Sequence, residues 1–533
     1  MSHKINLVFL LTLFLYSLYC ALQLGPSWDV LFNYNLGKIR LNYLLGLGFK
    51  DIEETAYVHK FYTGAYSTIS AFFVQLFPKK YLLQSLYIIN LIFSSLTIFG
   101  VYKITKELFN KRIGQIAFLL CYFNPIFFGH MAMNSMDTII AFANIWFFYK
   151  IILYVKNQQN EKKNKYLIHA ALLFGLGLGV RYSFIVTLVP ILLFVLLEIS
   201  HFKIIINKDF LKKTFFFDSL KVVAIAYAFM VLFWPETHKN IFILPFKFAL
   251  ESFSYGFGPP LILFQEKIFE TSTLPKYYFL INLFYKTPEF IILSFILFIF
   301  FFFKINSHLS KKIKGFNFKV AFIIIIILFP NILFLISPYA VYDGIRLLLY
   351  VLPYICIISA ILIFFLYEKI KINLYKLIFG LIIIFQLFFL FNFFSLTPYH
   401  YVYLNIFLGK YSDNSKIFEN DYWGVSTKKL ISSIEKKNEI LKDTKVKIAT
   451  CGVEKNAQKN YFKKINNFDF KMVNSNENYD YIIMNNRALW NLNINEIDKK
   501  TPKTCFEKFS GVDIAKIERR GLILSKITKN YNY

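Results

Sequence analysis

Long apolar runs separated by short polar connections dominate the chain. They fall at 5–24, 82–102, 113–129, 134–155, 166–180, 183–199, 219–235, 289–303, 320–337, 347–367 and 374–394. Roughly 20 apolar residues cross a bilayer, so the pattern predicts about eleven helices in an all-α polytopic membrane protein. The first run follows a short basic start, but Tyr19-Cys20-Ala21 is a poor cleavage site, so it reads as a retained span. Two long connections, 25–81 and 236–288, hold the amphipathic stretches Tyr62–Phe77 and Ile241–Phe257, suited to a membrane interface. The pattern changes at residue 395. From there to 533 the composition is that of a soluble α/β domain, with alternating runs at Val446–Cys451 and Tyr479–Met484 that predict short strands. The division expected is a membrane domain, 1–394, and a C-terminal domain, 395–533.

Composition agrees. The 533 residues are 56% hydrophobic and 17% charged, with mean hydropathy +0.48 and net charge +28. Such a chain is neither disordered nor a soluble nucleic-acid binder with a basic stripe. Lys and Arg cluster at 103–112, 156–165, 203–221, 304–319 and 369–376, on alternate connections. These connections are expected to face the cytoplasm, with the N-terminus. The long loops, the short turns at 129–135, 180–182 and 337–346, and the segment 395–533 are then extracytoplasmic, in a multi-pass inner-membrane protein. Five Cys (20, 121, 356, 451 and 505) show no CxxC pair. The first three read as packing residues. Cys451 and Cys505 are either a disulfide or two thiols.

Lys is abundant, whereas Arg occurs seven times: 40, 112, 181, 346, 487, 519 and 520. Arg40, Arg181 and Arg346 fall on the outer side, against the usual bias, and a guanidinium suits bidentate phosphate binding. Acids beside spans are functional candidates. Asp29 follows the first span, Asp137 opens the fourth, and Asp343 precedes Arg346 by three residues. Two carboxylates at one membrane level suit general-base work on a hydroxyl. His130, at the same level, is a candidate accessory residue; it has no second His or Cys at metal-ligand spacing. No metal or other cofactor is indicated, although Asp29 and Asp137 could share a divalent ion.

Several stretches together resemble a known family. They are Ser27-Trp28-Asp29 with Asn33-Tyr34-Asn35-Leu36-Gly37, Asn124-Pro125 with Gly129-His130 and Asp137, and Gly175 to Tyr182. Phe233-Trp234-Pro235, Pro275 to Tyr278, Lys286-Thr287-Pro288, Tyr342 to Arg346, Pro398 to Asn405 and Phe418 to Gly424 complete the set. In order, over about residues 5–430, this layout resembles the GT-C superfamily of integral-membrane glycosyltransferases, in its protein-mannosyltransferase-like branch. The resemblance implies a polyprenyl-phosphate sugar donor and a protein, lipid or glycan acceptor. It makes Asp29 the base and Asp137 the second acid; Arg346, Arg181 and Arg40 are assigned to the donor phosphate by their membrane side and residue type. Two departures stand out: Val30 follows Asp29 where the family often has a second acid, and Met131-Ala132-Met133 replaces a frequent basic residue. The competing class is a transporter or lipid flippase, but no repeat relates the two halves and the charges gather at one face.

Overall fold

The computed structural model describes residues 3–48, 52, 60–207, 209–252, 259–336, 341–410, 415–437, 445–465, 468–489 and 503–530. Parts of the 25–81 and 236–288 loops, including 253–257 of the second amphipathic stretch, lie outside the described residues. The eleven apolar runs are largely helical, but 113–129 is split between helices Lys111–Tyr122 and Pro125–His130, and 289–303 between Glu289–Phe300 and Phe302–Leu309. Among the described residues, seven helices are long and apolar enough to cross a membrane, or nine if each of two bent pairs is one span. Helices Lys111–Tyr122 and Lys163–Leu178 are among those too short to be counted.

Proline and its neighbours set the breaks. Gly25-Pro26 separates helix His3–Gln23 from helix Trp28–Leu44, and the chain turns by 91° there. Pro288 separates Tyr278–Lys286 from Glu289–Phe300 with a turn of 112°. Asn124 caps the short helix Pro125–His130 by accepting a hydrogen bond from the Phe127 amide, with Pro at the first helical position. Asp343 (φ +55°) and Gly344 (φ +70°) both turn left-handed before Arg346. A side chain at Gly344 would also collide with Lys286 Nζ, 2.2 Å from the ideal Cβ position. The first amphipathic stretch forms helix Ala65–Val74, which buries Tyr66 and Ala71 and exposes Phe72 and Phe73.

The C-terminal part carries a mixed sheet of β3 (Val446–Cys451), β4 (Phe470–Met472), β5 (Tyr481–Met484), β6 (Val512–Arg519) and β7 (Leu522–Lys529). It follows a hairpin of β1 (Leu261–Phe264) and β2 (Lys267–Glu270) in the second long loop. The sheet order is β4-β3-β5-β7-β6, with β3 parallel to β4 and β5 and the other pairs antiparallel. Alternation separates its faces. Ile448, Tyr481 and Ile483 join the core shared with the membrane helices, while Ala449, Cys451, Ile482 and Met484 pack under Cys505 and Phe509. Cys451 and Cys505 form a disulfide. The sheet side also grips the first break: Gly25 donates its amide to the Val425 carbonyl, and Lys428 Nζ donates to the Leu22 carbonyl.

Close backbone packing holds helix Trp28–Leu44 against helix Ala65–Val74. A Cβ added at Gly37 would lie 2.1 Å from the Ser67 carbonyl oxygen. Gly37→Ala should therefore push these helices apart and lower stability by about 1–3 kcal/mol, the usual cost of overpacking. Thermal unfolding of the purified protein measures this, and an unchanged melting temperature would contradict the packing.

Candidate active site

The irregular segments between helices meet around one cavity of about 230 Å³. Trp28, Asp29 and Asn33 reach it from the start of the second helix, Met136 and Arg181 from two short turns, and Tyr342, Asp343 and Arg346 from the left-handed turn. The C-terminal part closes it with Tyr422, Trp423 and Arg487. Non-helical backbone at membrane depth is tolerated where it is buried in protein or lines a cavity, and these breaks do the latter.

Charge is concentrated on the walls. Asp29 keeps 42% of its side chain exposed, with Oδ2 3.7 Å from Arg346 Nη1. Arg346 is also 3.1 Å from Asp343 and lies between the rings of Tyr342 and Trp423, at 4.7 and 4.6 Å. Its buried Nε has no hydrogen-bond partner among the described residues. Arg181 pairs with Asp137 at 2.9 Å and stays a quarter exposed. Asp137 is buried behind it, held also by Asn134 Nδ2 at 2.9 Å, and does not line the cavity. The two acids expected to share one site thus sit on successive shells, Asp29 at the surface and Asp137 beneath Arg181.

Two expected residues lie elsewhere. Arg40 is fully buried against Glu236, with Nη2 to Oε1 at 2.7 Å, and Nη2 donates to the Tyr62 carbonyl. It ties the first long loop to the segment after Trp234 instead of facing the main cavity. His130 is also fully buried, with Nε2 2.9 Å from the Tyr422 hydroxyl. Burial, with Arg346 and Lys286 nearby, pushes its pKa well down, so its ring is neutral. It supports the Tyr422 wall. Among the described residues, no group of three or more His, Cys, Asp and Glu side chains is placed to hold a metal ion.

Arg487 and Glu419 were not expected. Arg487 Nη2 is 3.0 Å from Asp343, and Nε is 3.7 Å from Glu419. Their sequence signal was thin, because both lie in a segment where charge is common. The aromatic pair beside Gly424 was a stronger signal, and it is what meets His130 and Arg346.

Residues 65–234 match the family described as dolichyl-phosphate-mannose-protein mannosyltransferase. A comparison of the sequence with curated proteins gives no match. The fold is similar to ArnT from Cupriavidus metallidurans in the apo state, at 9% identity, covering 98% of each chain, with TM-score 0.50. It is similar to the same protein bound to undecaprenyl phosphate, at 9% identity, covering 99% of this chain and 98% of that one, with TM-score 0.51. The oligosaccharyltransferase of Archaeoglobus fulgidus in the apo form aligns at 11% identity over 89% of this chain and 69% of its own, with TM-score 0.46.

Burial raises Glu419 from its ordinary 4.5 to about 7 and Asp421 from 3.8 to about 6, despite Arg487 beside the first and Ser426 and Tyr401 bonded to the second. A raised carboxyl pKa means the folded chain holds a proton that the unfolded chain releases, so stability falls as pH rises through that window. Between pH 6 and 7 the fall belongs mainly to Glu419. Melting curves should show Glu419→Gln gaining on wild type across that interval and running parallel above it. A constant difference would refute the assignment. The chain is thus a multi-pass membrane protein with a fold similar to that of ArnT, and its residues 65–234 match the mannosyltransferase family model.

Proposed function

We propose that the protein transfers a sugar from a polyprenyl-phosphate donor to an acceptor hydroxyl at the outer face of the membrane. The observation that carries this reading is the accessible Asp29 carboxylate beside Arg346 and Arg181 on one cavity wall. ArnT, similar in fold, is known bound to undecaprenyl phosphate, which supports a lipid-linked donor.

The chemistry follows from the arrangement. The acceptor hydroxyl enters from the aqueous side and gives its proton to Asp29 as its oxygen bonds to the anomeric carbon. The bond from that carbon to the phosphate oxygen breaks, and the phosphate leaves with the electron pair. Arg346, whose Nε is free of hydrogen bonds among the described residues, and Arg181 stabilise the charge that grows on the leaving group. Direct displacement inverts the anomeric centre. Asp137 acts through Arg181, whose guanidinium it orients. In this reading the C-terminal segment from 395 is a separate extracytoplasmic domain that roofs the site, and residues 1–394 are the transferase domain.

Asp29→Asn removes the base and keeps the shape. Transfer from a polyprenyl-phosphate sugar should drop by about 10²- to 10⁴-fold, the usual worth of general-base catalysis, while donor binding persists. Full retained transfer would remove Asp29 from the mechanism. Arg346→Ala should weaken donor binding, and transbilayer lipid movement without transfer would favour a flippase instead.

A further inference from the structure

We propose that Arg487 is a positioning residue that sets Arg346 through Asp343, and that the Cys451–Cys505 disulfide anchors it. This rests on the reading that Arg346 holds the donor phosphate.

The contacts form one path. The Asp343 carboxylate takes Arg346 on one oxygen at 3.1 Å and Arg487 on the other at 3.0 Å. Arg487 also donates from Nη1 to the Tyr422 carbonyl at 2.8 Å. Its guanidinium is therefore engaged on several sides and buried at the edge of the cavity, in a geometry for holding neighbours. Its backbone is held in turn. The Arg487 carbonyl accepts the Cys505 amide at 2.9 Å, and its amide donates to Asn485 Oδ1 at 3.2 Å. Cys505 is bonded to Cys451 at the end of β3. The next residue, Gly452, accepts the Trp28 indole N–H through its carbonyl at 3.3 Å, beside Asp29. The crosslink thus ties the strand end carrying Arg487 to the one that holds the ring next to the proposed base.

The direction of the effect follows from charge. One carboxylate shared by two guanidiniums leaves Arg346 partly uncompensated and available to an anion. Without Arg487, Asp343 belongs to Arg346 alone, and a phosphate must compete with that closer pair.

The test uses the purified full chain, with undecaprenyl phosphate as the probe, its dissociation constant and the melting temperature read on each variant. Arg487→Ala should weaken binding about tenfold. Adding Asp343→Asn, which removes the orphaned carboxylate, should restore most of it. In an Arg346→Ala background, Arg487→Ala should change binding no further, which a merely structural role would not produce. Cys451→Ser/Cys505→Ser should weaken binding in the same direction. If serine in that apolar layer prevents folding, Cys451→Ala/Cys505→Ala takes its place, and wild-type affinity there would remove the disulfide from the proposal. Unchanged affinity in Arg487→Ala, or an equal loss with Arg346 absent, overturns the role of Arg487 while leaving the donor reading intact. A wild-type protein that does not bind the probe overturns both.

Discussion

Asp343 is the hinge of the charge network. Its side chain is buried and flanked by two buried guanidiniums, with Glu419 beyond the second. A buried charge without a partner is costly, and breaking such a pair by removing one member commonly costs 3–5 kcal/mol. The cost can be met only if the turn before Arg346, the end of β5 and the segment after Phe418 all arrive together. Residue 343 accordingly takes a left-handed conformation that a non-glycine residue rarely adopts, with Gly344 completing the turn. The docking of the C-terminal part is thus set by electrostatics as much as by apolar burial.

The same demand explains why the cavity sits where it does. Helices satisfy their own backbone in a bilayer, so polar side chains converge where helices stop. Gly25-Pro26, Asn124-Pro125, Gly179 and Asp343-Gly344 supply those stops. The C-terminal part fills the space above them by gripping Gly25 through Val425, setting Trp423 on Arg346 and bonding Tyr422 to His130. The cavity left over is lined by charged and aromatic side chains together, which fits a charged group that must be held without being fully hydrated.

The sequence carried this unevenly. Helix positions were readable because an apolar run has few alternatives in a bilayer, although 113–129 and 289–303 are each broken into two helices. Asp29, Arg181 and Arg346 were readable because charge next to a span is expensive enough to imply a use. The partner of each charge was harder to see. Arg40 looked like Arg181 by side and type, yet Glu236, almost two hundred positions away, pairs with it. Arg487 was one of only seven arginines but followed Asn485-Asn486 in a polar stretch, where no local pattern separates it from a surface charge. Long-range pairing of this kind depends on where the elements pack, which periodicity does not encode.

The identity of these cations is itself informative. In a chain with Lys in most basic positions, the residues around the cavity's carboxylates are Arg. An ammonium is a compact, strongly hydrated charge that resists burial. A guanidinium is planar and more weakly hydrated, so it can lie between the rings of Tyr342 and Trp423 while its Nη1 sits 3.7 Å from Asp29 and 3.1 Å from Asp343. Lys286, the nearby lysine, shows the contrast: it is buried under Gly344 and over the Tyr422 ring, without a carboxylate within ion-pair distance among the described residues. Where two acids must be approached and an aromatic wall must be stacked at once, a planar, weakly hydrated cation meets both requirements, and that is where the rare residue is placed.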